Sequence, residues 1–233
     1  MRATDAPTAA ARVARPGGGL LLDLDGTLVD SEPLHRRAFA VYFASRGWDV
    51  PDDVVREFSG RRAHEVFPVL DGPWRGEDPH ALTRGVLDAL GHGHEPPVPV
   101  RGAADLLAAC DEVGLPVAVV TSAGRAWTAR VVDMLGARLE RIELVTAEDC
   151  THGKPDPEPY RRGAERLGLA PGDLVAAEDA PAGIASALGA GIGWVLGMTT
   201  SHPAERLVTA GAHETAVDLE GIAEAVRSRR PGG

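Results

Sequence analysis

Two aspartates, Asp23 and Asp25, stand two residues apart where the apolar run Gly19-Leu20-Leu21-Leu22-Asp23-Leu24 gives way to Gly26-Thr27. An extended chain puts alternate side chains on one face, and Gly26 permits a sharp turn, so both carboxyls can face one pocket. In such a pair one carboxylate can attack an electrophile such as phosphorus, while the other protonates the leaving oxygen and later activates water. Asp-x-Asp-Gly is also a common turn sequence, so the chemistry depends on what else reaches the same place.

Three further stretches end apolar runs with polar groups: Thr121-Ser122-Ala123-Gly124, Glu178-Asp179, and the loop Gly153-Lys154-Pro155-Asp156-Pro157. In an open parallel sheet, ligands gather outside the carboxyl ends of the strands, so these groups are expected to converge there. Clustered acids repel one another and favour a cation among them. Carboxylate oxygens without Cys or His beside them select Mg²⁺ over zinc, and Mg²⁺ bridges readily to a phosphate oxygen. The expected chemistry is therefore phosphoryl transfer.

Lys154 is the only lysine of the chain, all other cationic side chains being arginine. A compact ammonium suits a phosphate crowded among carboxylates better than a planar guanidinium does. Thr121 or Ser122, with the backbone N–H groups around Ala123, can cradle a phosphate where a helix begins, although an ordinary helix cap explains Thr-Ser equally well.

The elements that must position these groups read as an α/β fold. Apolar runs at Gly19 to Leu24, Leu115 to Val120, Ile142 to Val145, Leu174 to Ala177 and Trp194 to Leu196 predict strands. Helices are expected over about Gly124 to Leu135, Pro157 to Leu167 and Pro181 to Ala190, with Gly136, Gly168 and Gly191 at their C-terminal ends. This alternation implies a doubly wound parallel sheet. Residues 31–99 instead read as helical throughout, starting from Ser31 as a cap with Pro33 in the first turn, which predicts a small all-helical module inserted after the first strand. The core is then 19–30 plus 100–233. Gly91 to Pro97 reads as a linker, and His92, His94 and Glu95 within it as linker residues rather than a second metal site. Residues 1–18, rich in Ala, Arg, Pro and Gly without an apolar core, predict a disordered tail and no secretory signal.

Taken in order, Asp23-Leu24-Asp25-Gly26-Thr27-Leu28-Val29-Asp30-Ser31-Glu32, Thr121-Ser122, Lys154 and Glu178-Asp179 resemble the four motifs of the haloacid dehalogenase superfamily. The resemblance runs from about Gly19 to Val226. It implies Asp23 as nucleophile and metal ligand, Asp25 as acid/base and backbone ligand, Ser122 and Lys154 on the phosphate, and Glu178 with Asp179 at a Mg²⁺ ion. The helical insert resembles the small cap of the β-phosphoglucomutase-like subgroup, and the flanks of Lys154 and Asp179 resemble sugar- and polyol-phosphate phosphatases. His35 matches a histidine near the cap hinge, and Gly60-Arg61-Arg62 matches a specificity loop. For His35, Arg61 and Arg62 a solvated helix face is the alternative.

Within that family the presence of Asp25 disfavours carbon–halogen cleavage, and a cap without lysine offers no Schiff-base residue for carbon–phosphorus cleavage. A phosphosugar mutase is the closer rival, because it uses the same four motifs; a noncatalytic phosphometabolite-binding protein is a third reading. The expected activity is a phosphohydrolase of small phosphorylated metabolites. A net charge of −10 argues against nucleic acid as a partner, and no apolar stretch is long enough for a membrane span. Cys110 and Cys150 show no paired spacing, which fits a reducing cytoplasm; the oligomeric state is left open, a monomer being compatible with the sequence.

Overall fold

A computed structural model describes residues 8–91 and 96–229. In chain order its elements are α1 (Ala9–Val13), β1 (Gly19–Leu22), β2 (Val29–Asp30), α2 (Glu32–Ser45), α3 (Asp52–Arg56), α4 (Ala63–Val66), α5 (Pro79–Gly91), β3 (Val98–Pro99), α6 (Ala103–Val113) and β4 (Val117–Val120). There follow α7 (Arg125–Met134), β5 (Glu143–Val145), α8 (Glu158–Leu167), β6 (Leu174–Glu178), α9 (Pro181–Gly189), β7 (Trp194–Met198), α10 (Ala204–Thr209), β8 (Glu214–Ala216) and α11 (Glu220–Arg227).

The main sheet is six-stranded and parallel, in the order β5-β4-β1-β6-β7-β8. Every residue of β1, β4, β6 and β7 is buried, so these strands read as continuous apolar runs. Alternate side chains nevertheless go to opposite faces. Leu20, Leu22, Val117 and Val119 join one core with α6, α7 and α11, while Leu21, Ala118, Val120 and Tyr160 join the other with α8, α9 and α10. The doubly wound expectation holds, and β8 extends the sheet beyond the five strands legible in the sequence.

The insert leaves and re-enters this core through a short antiparallel ribbon, β2 pairing with β3 through Val29 with Pro99 and Asp30 with Val98. Between the two crossings lie only helices among the described residues. Their core is separate and aromatic: all four phenylalanines of the chain, Phe39, Phe43, Phe58 and Phe67, pack in one cluster with the buried Trp74, whose ring meets those of Phe43, Phe58 and Phe67. Phe43 stacks on Trp74 with ring centroids 5.3 Å apart. Large rings let so small a module bury enough apolar surface to hold together. The Gly91 to Pro97 linker falls largely on residues 92–95, including His92, His94 and Glu95, which lie outside the described residues.

The disordered tail expected over residues 1–18 needs correction from residue 8 onward; residues 1–7 lie outside the described ones. The Thr8 hydroxyl caps α1 by accepting from the Ala11 N–H at 3.2 Å. Ala9 and Val13, one helical turn apart, are fully buried in the sheet's core, and the Ala9 N–H donates to Glu214 Oε1 at 2.6 Å. An alanine-rich segment this short is not stable alone, and docking against the core supplies what its composition lacks.

Candidate active site

The four predicted motifs meet at the carboxyl end of the central strands. Asp23 follows β1 and donates its N–H to Ala177 O of β6 at 3.1 Å, which fixes it next to Glu178, the last residue of that strand. Lys154 crosses beneath them. Its Nζ lies 2.5 Å from Asp23 Oδ1 and 2.5 Å from Glu178 Oε1, and it donates to Val120 O at 2.9 Å. Tyr160 Oη donates to the same Glu178 oxygen at 2.6 Å. Asp23, Lys154, Glu178 and Asp179 are all at most 3% exposed.

Close packing here depends on two glycines. Gly26, at φ +86°, has Asp179 and Ser201 so near that a Cβ would collide with both. Gly183 in α9 lies against the Glu178 carboxyl, and a side chain there would occupy the carboxylate's place.

One lysine does not balance three acids. Asp23 Oδ2, Glu178 Oε2 and Asp179 Oδ1 are buried with no hydrogen-bond partner among the described residues. The three acids can bring ligand oxygens within 4.8 Å of one another. Burial pushes the Asp23 carboxyl up to about 8, with Glu178 adding to the rise against the pull of Lys154. Burial and the neighbouring Asp23 and Glu178 raise Asp179 well above the carboxylate range. The orphaned, buried oxygens of these three acids fit a hard divalent cation, which would supply the missing positive charge.

Asp25 behaves differently. Its Oδ1 accepts from Ser31 Oγ at 2.6 Å and from Trp127 Nε1 at 3.1 Å, and lies 3.2 Å from His35 Nε2. Burial alone would raise its carboxyl, but the bonds from His35, Ser31 and Trp127 bring it below the ordinary value. Burial likewise works against the His35 imidazolium, and Asp25 outweighs it and raises His35. The Asp25 carboxylate lies outside the cluster of Asp23, Glu178 and Asp179, so the part expected of Asp25 at a metal stays with its backbone carbonyl. Ser31 also departs from expectation, since it makes no side-chain cap for α2 and gives its hydroxyl to Asp25 instead.

The groups expected to hold phosphate are partly engaged elsewhere. Thr121 Oγ1 accepts from the Ala123 N–H at 3.0 Å, so that hydroxyl and that amide satisfy each other. Ser122 Oγ donates across to the carbonyl of Gly60 in the insert at 3.0 Å. Arg61 has a buried Nε without a partner among the described residues. Arg62, expected over the pocket as a substrate cation, is instead buried with its guanidinium on Cys150 O at 3.2 Å, because the turn that follows Gly60 directs it onto the loop preceding Lys154.

Residues the sequence reading did not assign complete the surroundings: Tyr160, Trp127, and the loop after β7. There Thr200 Oγ1 bonds Gly26 O and His202 Nδ1 lies 3.0 Å from Asp179 O, so one loop braces both the turn after Asp25 and the acid at 179. Tyr160 was visible six residues after the lysine, but nothing local marks Thr200 or His202.

Against known proteins, a family model described as haloacid dehalogenase-like hydrolase matches residues 19–191. Validoxylamine A 7'-phosphate phosphatase of Streptomyces hygroscopicus subsp. limoneus is 37% identical over 191 residues, covering 82% of this chain and 89% of that protein. Hexitol phosphatase A of Escherichia coli K12 is 34% identical over 175 residues, covering 74% and 79%. A hydrolase structure from Pseudomonas syringae matches the fold with a TM-score of 0.78 at 21% identity, covering 88% of this chain and 96% of that one. No helix among the described residues is long and apolar enough to cross a membrane.

Proposed function

This chain belongs to the haloacid dehalogenase-like hydrolases, and from that premise we propose that it is a Mg²⁺-dependent phosphatase of sugar or polyol phosphates with Asp23 as nucleophile. The observation that carries the reading is the arrangement around Lys154. Its ammonium holds one oxygen of Asp23 and one of Glu178, which leaves the second oxygen of each unpartnered beside Asp179. The substrate class rests on the two relatives, which are named as phosphatases of validoxylamine A 7'-phosphate and of hexitol phosphates.

Bound Mg²⁺, held by Asp23, Asp179, Glu178 and the Asp25 backbone, would neutralise the charge between an incoming phosphate and the attacking carboxylate. The remaining work falls to side chains. Asp23 attacks phosphorus while the ester P–O bond breaks, and the leaving oxygen takes a proton from Asp25 to depart as an alcohol. The proton shared between His35 and Asp25 is the reservoir for that transfer. Asp25 then takes a proton from water, whose oxygen attacks the phosphoryl group on Asp23 and releases inorganic phosphate with Asp23 restored. Lys154 fixes Asp23 beside the phosphoryl group, Arg61 contacts the substrate, Ser122 does so by exchanging its bond to Gly60 O for a phosphate oxygen, and the helical insert acts as a cap that excludes water.

Phosphate release from a panel of hexose, hexitol and cyclitol phosphates, measured with Mg²⁺ and with EDTA, tests the proposal. Release should require Mg²⁺ and should fall by at least about 10³-fold in Asp23→Asn and in Asp25→Asn. Interconversion of glucose 1-phosphate with no net phosphate release would replace the phosphatase by a mutase, and full activity in Asp23→Asn would remove the nucleophile.

A further inference from the structure

A single turn of the cap, Gly60 to Glu65, touches the three loops that carry the site's chemistry. Gly60 O accepts from Ser122 after β4, and Gly60, at φ +71°, packs so closely that a Cβ would lie 2.7 Å from Ala180 Cβ after β6. Its contact with the third loop, after β5, is the most extensive. Arg62, only 7% exposed, donates from Nη1 and Nη2 to Cys150 O at 3.2 Å each, and its Nη1 also reaches Glu65 Oε1 at 3.2 Å. Glu65 in turn accepts the Gly153 N–H on both oxygens, at 3.0 and 3.2 Å. A Cβ at Gly153 would stand 2.7 Å from Glu65 Oε2 and 2.8 Å from Arg62 Cδ, so the cap's two side chains close directly over this residue. Lys154 is the next residue.

We propose that Arg62 and Glu65 are positioning residues for phosphoryl transfer, clamping Cys150–Gly153 so that the Lys154 ammonium reaches Asp23 when the cap is seated. The pair is a poor candidate for substrate contact, because the Arg62 guanidinium is directed at backbone carbonyls and the Glu65 oxygens at a backbone amide. What the clamp governs is the next peptide in the chain. With Nζ bound to Asp23, Glu178 and Val120 O at 2.5 to 2.9 Å, a shift of the loop by about an ångström would lengthen those bonds and misplace the ammonium. The inference rests on the phosphatase reading for its kinetic consequence, and on geometry alone for the clamp.

Two measurements on the full chain test it: Mg²⁺-dependent hydrolysis of sorbitol 6-phosphate, and hydrogen exchange of the amides at 150–154. Glu65→Ala should lower kcat by about tenfold with KM held within about twofold, which is the scale of one lost charge-assisted hydrogen bond. Exchange at the Gly153 amide should accelerate in step. Glu65→Gln keeps an acceptor for that amide and should recover kcat to within about threefold of wild type. If Glu65→Ala proves unfolded, Arg62→Lys serves instead, keeping the charge but losing the two-pronged hold on Cys150; its kcat should fall. A rise in KM at unchanged kcat would reduce the pair to a tether for the cap and overturn the proposal, as would unchanged exchange at 150–154. If the wild-type enzyme releases no phosphate, the phosphatase reading is what fails, and the exchange of Glu65→Ala against wild type still decides the clamp.

Discussion

Two groups of acids flank Lys154, and they are built in opposite ways. At the sheet edge Asp23, Glu178 and Asp179 each leave a buried oxygen without a donor. In the loop that leads to the lysine and the helix that follows it, Asp149 and Glu158 have both oxygens taken. Against burial, Thr146 and Arg166 hold the Asp149 carboxyl down to about 2, and backbone N–H groups of Thr151 and His152 with Arg162 do the same for Glu158. The Asp23 carboxyl is pushed in the opposite direction, to about 8. Acids satisfied within the fold serve the fold; the unsatisfied ones are those that, on the proposed reading, a ligand completes.

The hardest test of that contrast removes the one cation the sheet edge possesses. Lys154→Met keeps the length of the side chain and takes the ammonium away from Asp23 and Glu178, so it should cost about 3–5 kcal/mol of stability, as the loss of one partner from a buried ion pair does. Thermal unfolding without divalent cations measures it, and Mg²⁺ should restore part of the loss. A variant as stable as wild type would mean that the acids hold no charge to be balanced.

The satisfied acids should respond in the other sense. Asp149→Asn keeps the shape but removes the charge that two arginines share, and should cost about 1–2 kcal/mol at neutral pH. Because the folded carboxyl lies at about 2 and the ordinary aspartate value is 3.8, its contribution is complete above about pH 4 and is lost as pH falls through 2. The difference between wild type and variant, followed by urea unfolding, should therefore shrink between pH 4 and 2. Mg²⁺ should leave it unchanged.

The contrast also explains what the sequence could reveal. Asp23, Lys154 and Glu178-Asp179 stand at the ends of apolar strands, and strand periodicity with the parallel topology carries them to one edge. Arg62 is by its charge equally suited to the pocket, and only the path of the turn after Gly60 decides that its guanidinium meets Cys150, 88 residues away in the chain. Ser31 reads as a helix cap by local rules, yet its hydroxyl has a stronger acceptor in Asp25. The docked α1 and the bracing loop of Thr200 and His202 are likewise tertiary: neither carries a periodicity of its own, so each depends on surfaces formed elsewhere. The elements and the acids were local properties of the chain, whereas the partners of the polar groups were not.

The smallest expected effect is the most specific to the unsatisfied acids. In the cation-free protein Asp23 carries a proton up to about pH 8, while the unfolded chain releases it near 3.8. Folding then takes up a proton between those values, so cation-free stability should decline as pH rises from about 4 to 8. Mg²⁺ competes with that proton and binds the ionised site, so its affinity should rise over the same window. At a concentration ten times its dissociation constant the gain is about 1.4 kcal/mol, and at constant Mg²⁺ the rise in melting temperature should be larger at pH 8 than at pH 6. Asp149→Asn should reproduce this pattern and Asp23→Asn should flatten it, because only the latter removes the carboxyl on which proton and cation compete. Equal Mg²⁺ shifts at both pH values in the wild-type protein would place cation binding away from Asp23, and the distinction between the two groups of acids would lose its functional meaning.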